Sequence, residues 1–213
     1  MDPRSAKEKV LKNVRRALIQ KTDIPFDQLD QNGPIFSELK DSLDVEFAQQ
    51  FSIAGGQFIY CENGEALLEQ FAELVKVKKW EDIHCYEDSL VDVLQASKVE
   101  LHTTRKDILK AHVGITTCEA LIARSGSILV SSNTKSGRLL SIYPEVHICV
   151  AFTSQIVSEI ADALKVVKKR HSKIPSNLSL VTGPSRTADI EKELVLGAHG
   201  PKEIYTLLVD DAQ

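Results

Sequence analysis

The chain has 213 residues, 43% hydrophobic and 26% charged, which allows a sizeable buried core and excludes intrinsic disorder over the chain as a whole. Its 30 acidic residues outnumber its 26 basic ones, and the formal charge of −4 argues against a general binder of nucleic acid or other polyanions. No apolar run approaches the roughly 20 residues of a membrane span, and the first residues hold no secretory-type apolar stretch, so a soluble, cytoplasmic protein is expected.

In chain order, Val10, Leu11, Val14, Leu18 and Ile19 carry a helical period, with Ser5 as expected N-cap and Glu8 completing a capping box. The basic residues between them form either a solvated face or a dock for an acidic partner. Residues 21–43, with Pro25, Gly33 and Pro34, read as an extended connector. Residues 1–43 are therefore expected to form an N-terminal helix and connector, and 44–213 an α/β domain.

From residue 44 the pattern alternates. DVEFAQQFSIA predicts a helix that stops at Gly55-Gly56, QFIYC a short buried strand, and residues 65–80 an amphipathic helix with acids early and lysines late. IHCY is strand-like and residues 87–97 are helical. AHVGITT (111–117), SGSILVSS (125–132) and VHICVAF (146–152) form a β-rich middle, and Ser125-Gly126-Ser127 is read as ending a helical segment. Residues 153–171 predict the longest helix, and LSLVTG (178–183) a strand. TADIEKELVLG is expected to begin helical, and KEIYTLLVD to close the chain as a strand. The fold class is α/β, a three-layer sandwich with a mostly parallel, partly mixed sheet.

The candidate chemistry is concentrated in two segments. In LSLVTGPSRTADIEKEL (178–194) a strand runs through Gly183-Pro184 into an expected helix start, a place where free amides favour an anion. Ser185 and Thr187 offer hydroxyls and Arg186 a planar cation for phosphate or carboxylate. Asp189 and Glu191 suit a first helical turn even without a ligand. In the second segment Ser125, Gly126 and Ser127 form a tight turn, and SSNTKSGR (131–138) is a polar loop whose Lys135 and Arg138 could bind an anion. Its plainer reading is a hairpin loop of good turn formers. Glu119 and His199, the latter in GAHGP, complete the acid–base candidates with Glu191.

The cysteines, Cys61, Cys85, Cys118 and Cys149, form no CxxC pair, and the six histidines form no HxH or HExxH pair. Zinc and iron–sulfur sites usually draw paired ligands from short loops, so this chain is expected to bind no metal and no cofactor of its own. Three of the cysteines lie in apolar contexts and read as small buried hydrophobes.

VGITTCEALIARSGSILVSS, then GR-LLSIYP-VHI, then TGPSRTADIEKELVLGAHGPKEIYTLLVD resemble the LUD (lactate utilisation) domain family, within it the lactate-utilisation protein C (LutC/YkgG) group, over about residues 45–210. The resemblance implies a NagB/RpiA/CoA-transferase-like α/β fold. It also implies a non-redox component of a system oxidising L-lactate to pyruvate, with iron–sulfur clusters carried by partner proteins (LutA/LutB-like). No catalytic residue is carried over, and Arg124 stands where the family often has an acid. The alternative is a stand-alone enzyme or sensor of the same fold group that binds a nucleotide, CoA or sugar phosphate, with Glu119 or Glu191 as the nucleophile of a transferase.

Overall fold

The computed structural model describes residues 3–19, 36–106, 108–136, 138–188, 194–197 and 199–211. The chain divides into two units, Met1–Glu38 and Leu39–Gln213. In the first, the helical period becomes α1 (Pro3–Ile19), which starts at a proline suited to the first turn and so encloses Ser5 rather than being capped by it. Every side chain described from Ala6 to Ile19 is exposed. Among the described residues, no helix is long and apolar enough to cross a membrane.

The second unit begins α2 (Leu43–Ile53), β1 (Gln57–Cys61), α3 (Gly64–Lys78), β2 (Ile83–Cys85) and α4 (Asp88–Leu94). It continues with β3 (Val113–Thr116), β4 (Ala120–Ile122), β5 (Ser127–Ser131), β6 (Val146–Phe152) and β7 (Ile156–Val157), then α5 (Ile160–Arg170). The remaining strands are β8 (Leu178–Val181), β9 (Arg186–Ala188), β10 (Leu194–Leu196) and β11 (Glu203–Val209). Local chemistry explains α3 well. The Asn63 side chain accepts from the Ala66 N–H at 2.9 Å, Glu65 lies in the first turn, and Lys76 and Lys78 lie in the last.

Five strands form a sheet in the order β1-β11-β6-β3-β2, with every pairing parallel. Strands covered on both faces must be apolar on both, and six of the seven β6 residues are buried. Ile148 and Val150 face a core with Leu67 and Phe71 of α3 and Leu90 and Leu94 of α4. Cys149 and Ala151 face the opposite core, with Phe47 and Phe51 of α2 and Leu121 and Ile128 of a second sheet. That sheet has the order β7-β4-β5-β8; β4/β5 and β5/β8 are antiparallel and β4/β7 parallel. Ala163 and Val167 of α5 cover its far side against Ala120, Ile122 and Leu129. The α/β class with a mostly parallel sheet is thus as expected, and the antiparallel pairing expected within it lies in the second sheet.

Three local expectations change. The apolar run before Ser125 is strand β4, paired Leu121 to Ile128, because a run this short fits a strand or a helix equally. The helix expected over 153–171 begins only at Ile160; Thr153 and Ser154 are bonded by Asp211, and Ile156 and Val157 pair along β4. The helix expected from Thr187 is replaced at Arg186–Ala188 by β9, antiparallel to β10, with 189–193 outside the described residues.

The last turn of α2 is seated on two glycines in the left-handed region. A Cβ at Gly126 (φ 57°) would lie 2.3 Å from the Phe51 nitrogen, and one at Gly183 (φ 75°) would lie 2.1 Å from the Ala54 oxygen. Strain and overpacking therefore act together, and Gly126→Ala is expected to cost about 2–4 kcal/mol. The measurement is the urea midpoint at unchanged m; a midpoint equal to wild type would contradict this seating.

Candidate functional site

The two motifs singled out by the sequence are largely consumed in holding α2. Ser125 Oγ and Ser127 Oγ lie 2.7 Å apart, and Ser127 Oγ lies 2.7 Å from Thr182 Oγ1, so these hydroxyls satisfy one another beneath Gly126. Arg186 Nη2 donates to the Ala54 carbonyl, an acceptor freed by the end of α2. Ser185 donates its N–H to the Pro201 carbonyl at 2.9 Å and accepts from the Gly197 N–H at 3.0 Å. Thr187 lies in β9, while Asp189 and Glu191 lie outside the described residues. Over 183–188 the expected anion loop therefore takes another form, a turn into a β-pair with Arg186 already engaged.

Glu119 is likewise bound into the structure. Its carboxylate is 4% exposed and accepts from Ser131 Oγ at 2.6 Å and Arg170 Nη1 at 3.0 Å, with His171 Nε2 at 2.9 Å. Burial pushes its pKa up, but Ser131, His171 and Arg170 together hold it below the ordinary carboxylate value. The residue that the sequence offers as an acid–base group or nucleophile thus ties β4 and β5 to the end of α5. Arg124 pairs with Glu159 at 3.1 Å.

The loop after β5 instead comes together with the segment before β11. Arg138, Leu139, Ile142 and Tyr143 face Gly197, His199 and Gly200 across a cleft of about 570 Å³. A second lobe of about 620 Å³ shares Tyr143, Gly197 and Gly200 and adds His112, Glu145 and Lys202 near the amino ends of β3, β6 and β11. Lys202 is paired with Glu145 at 2.9 Å. The Arg138 guanidinium has no hydrogen-bond or ion-pair partner among the described residues. Two of the candidates, Arg138 and His199, are therefore brought together. Lys135 is not; it is paired with Asp88, and its carbonyl accepts from Arg105 Nη2 at 2.6 Å.

Three features of this region carried no signal in the sequence. Tyr143 reads as one residue of an apolar run, yet it lines both lobes. Arg105 sits in an unpatterned stretch and reaches the loop 30 residues later. Glu87 reads as the first charge of a helix, but it is buried, accepts from Ser136 Oγ, and keeps Oε1 without a partner among the described residues. Burial raises its pKa above the ordinary carboxylate value, against the hydrogen bonds from Ser136 and Thr134.

The four cysteines are buried and free, as the apolar contexts of three of them suggest. Burial pushes the Cys61 thiol up to about 11 and the Cys85 thiol up to about 12, so neither is a thiolate at neutral pH.

The family model of the LUD domain matches residues 45–209. The chain belongs to the LUD domain family. Lactate utilization protein C of Anoxybacillus flavithermus is 30% identical to this LUD-domain chain over 176 residues, 82% of the chain and 71% of that protein. The protein of the same name from Shouchella clausii is 29% identical over 84% of the chain and 86% of its own length. That from Bacillus licheniformis is 36% identical over 105 residues, a stretch spanning only 44% of its length. A crystal structure of a DUF162 family protein from Deinococcus radiodurans superposes with a TM-score of 0.55 at 18% identity, covering 81% of this chain and 99% of that one; this supports the fold alone.

The Glu119 cluster gives this LUD domain a definite acid response. A carboxyl held below its ordinary pKa contributes stability that is complete above the ordinary carboxylate range and is lost as pH falls through the lowered value. Glu119→Gln is expected to cost about 1–3 kcal/mol at neutral pH, because Arg170 and His171 lose a charged acceptor. Melting curves of the two proteins should converge as pH falls; a gap that widens on acidification would contradict the assignment.

Proposed function

We propose that this LUD-domain protein is a lactate-utilisation protein C-like, non-redox component of a system that oxidises L-lactate to pyruvate, working in the cytoplasm beside iron–sulfur partner proteins. In that reaction lactate gives up two electrons and two protons, and the electrons pass to the partners' clusters. This chain, whose sequence has no paired cysteines to hold a cluster, contributes a binding surface.

One observation carries the reading of the site. Arg138 presents a guanidinium with no partner among the described residues on the cleft that His199 lines, with Tyr143 and Ile142 as apolar walls. A small carboxylate such as lactate or pyruvate, or a phosphate, has the charge and size for that cleft. The stand-alone transferase reading is weakened because Glu119 is committed to Ser131, Arg170 and His171.

Removing one charge-assisted contact of about 1.5–3 kcal/mol weakens binding roughly ten- to a hundredfold. Arg138→Gln should do this to pyruvate or lactate binding, followed by calorimetry, and leave the ligand-free melting temperature unchanged. Equal affinity in wild type and variant would remove the cleft from the proposal. Failure of the wild-type chain to co-purify with iron–sulfur proteins of its own genome, or to stimulate their lactate-dependent dye reduction, would remove the partner role.

A further inference from the structure

We infer that the Arg138 cleft continues into a phosphoryl-binding subsite formed by Arg105, Arg138, Ser132 and Ser176. Its ligand would then carry a phosphoryl group in addition to the group held on the His199 side. The inference rests on the reading of the Arg138 cleft as an anion site and extends it to a class of ligand.

Beyond Arg138 and Leu139, which line both spaces, lies a cavity of about 400 Å³ whose other walls are Arg105, Ser132, Ser136 and Ser176. Three separate segments converge there: the stretch before β3, the loop after β5 and the stretch before β8. Among the described residues the lining holds two guanidinium groups and three hydroxyls, and no carboxylate. A carboxylate bears one charge and offers about four lone-pair positions, so it would leave one arginine uncompensated and part of the donor set idle. A phosphoryl group at neutral pH carries a charge of about −1.5 to −2 on three strongly accepting oxygens, which matches two arginines and the proton left over by the Ser132–Ser176 pair.

The walls are set before any ligand arrives. Arg105 is anchored through Nη2 to the Lys135 carbonyl, leaving the rest of its donor fork available. Ser132 Oγ and Ser176 Oγ lie 3.1 Å apart, so one proton joins them and the other is left to donate outward. Ser136 gives its one hydroxyl proton to Glu87, itself 8% exposed and outside the cavity lining, so it shapes the wall rather than donating to a ligand. Lys135, paired with Asp88, pins the same loop to the start of α4. Groups already fixed lose little conformational freedom on binding.

The test is calorimetry and thermal shift on the full chain with inorganic phosphate, sulfate and pyruvate. Phosphate should bind saturably, and Arg105→Gln should weaken it by at least about tenfold while changing pyruvate affinity less than about twofold. Because Arg105 also anchors the loop, Ser176→Ala provides a second variant that leaves that anchor in place; it too should weaken phosphate and not pyruvate. Phosphate and pyruvate should bind together, with additive thermal shifts. No saturable phosphate binding up to about 10 mM, equal loss of both ligands in the variants, or strict competition between the two ligands would overturn the inference. Phosphate binding that depends on Arg105, with no pyruvate binding at all, would uphold the subsite and overturn the carboxylate reading of the His199 side.

Discussion

The second unit depends on how the last turn of α2 is received. That turn ends with the Ala54 carbonyl needing a partner, and Phe47 and Phe51 fill the core between the two sheets. Both glycines beneath it must lack a side chain for it to approach, and Arg186 supplies the donor that the helix end lacks. Without this contact the second sheet would lose part of its apolar cover.

This constraint redistributes the chemistry. Residues that look reactive in the sequence, such as Arg186, Ser127 and Glu119, have geometric duties, and each is satisfied by a neighbour inside the fold. Groups left with spare hydrogen-bonding capacity lie elsewhere, on the loop after β5 and the segment before β11. Among the described residues the Arg138 guanidinium has no partner where Tyr143, His199 and the arginine–serine cavity meet. A polar group without a structural partner on a concave surface is available to a ligand, and that distinction directs attention to the cleft rather than to the motif.

Two buried carboxyls show how surroundings separate residues of the same type. Glu119 meets Ser131, Arg170 and His171, and its charge is stabilised despite burial. Glu87 has hydroxyl partners and an oxygen without a partner among the described residues, so burial prevails and raises its pKa. The first locks β4 and β5 to α5; the second fixes Ser136 behind the arginine–serine cavity.

The sequence by itself determined the alternation of strands and helices, the amphipathic α3 with its Asn63 cap, the burial of the cysteines and membership of the LUD domain family. Each is written in local periodicity, capping chemistry or a contiguous motif. It also named Arg138 and His199 as candidates. Only the tertiary structure decided that Ala120–Ile122 is a strand, that residues 153–159 are not helical and that Arg186–Ala188 pairs as a strand, because such short segments take the conformation their neighbours impose. Only it placed Arg105 beside a loop 30 residues away and Glu87 behind Ser136 49 residues away. Hydrogen bonds over such separations are set by how the chain packs, and no local pattern of residues encodes them.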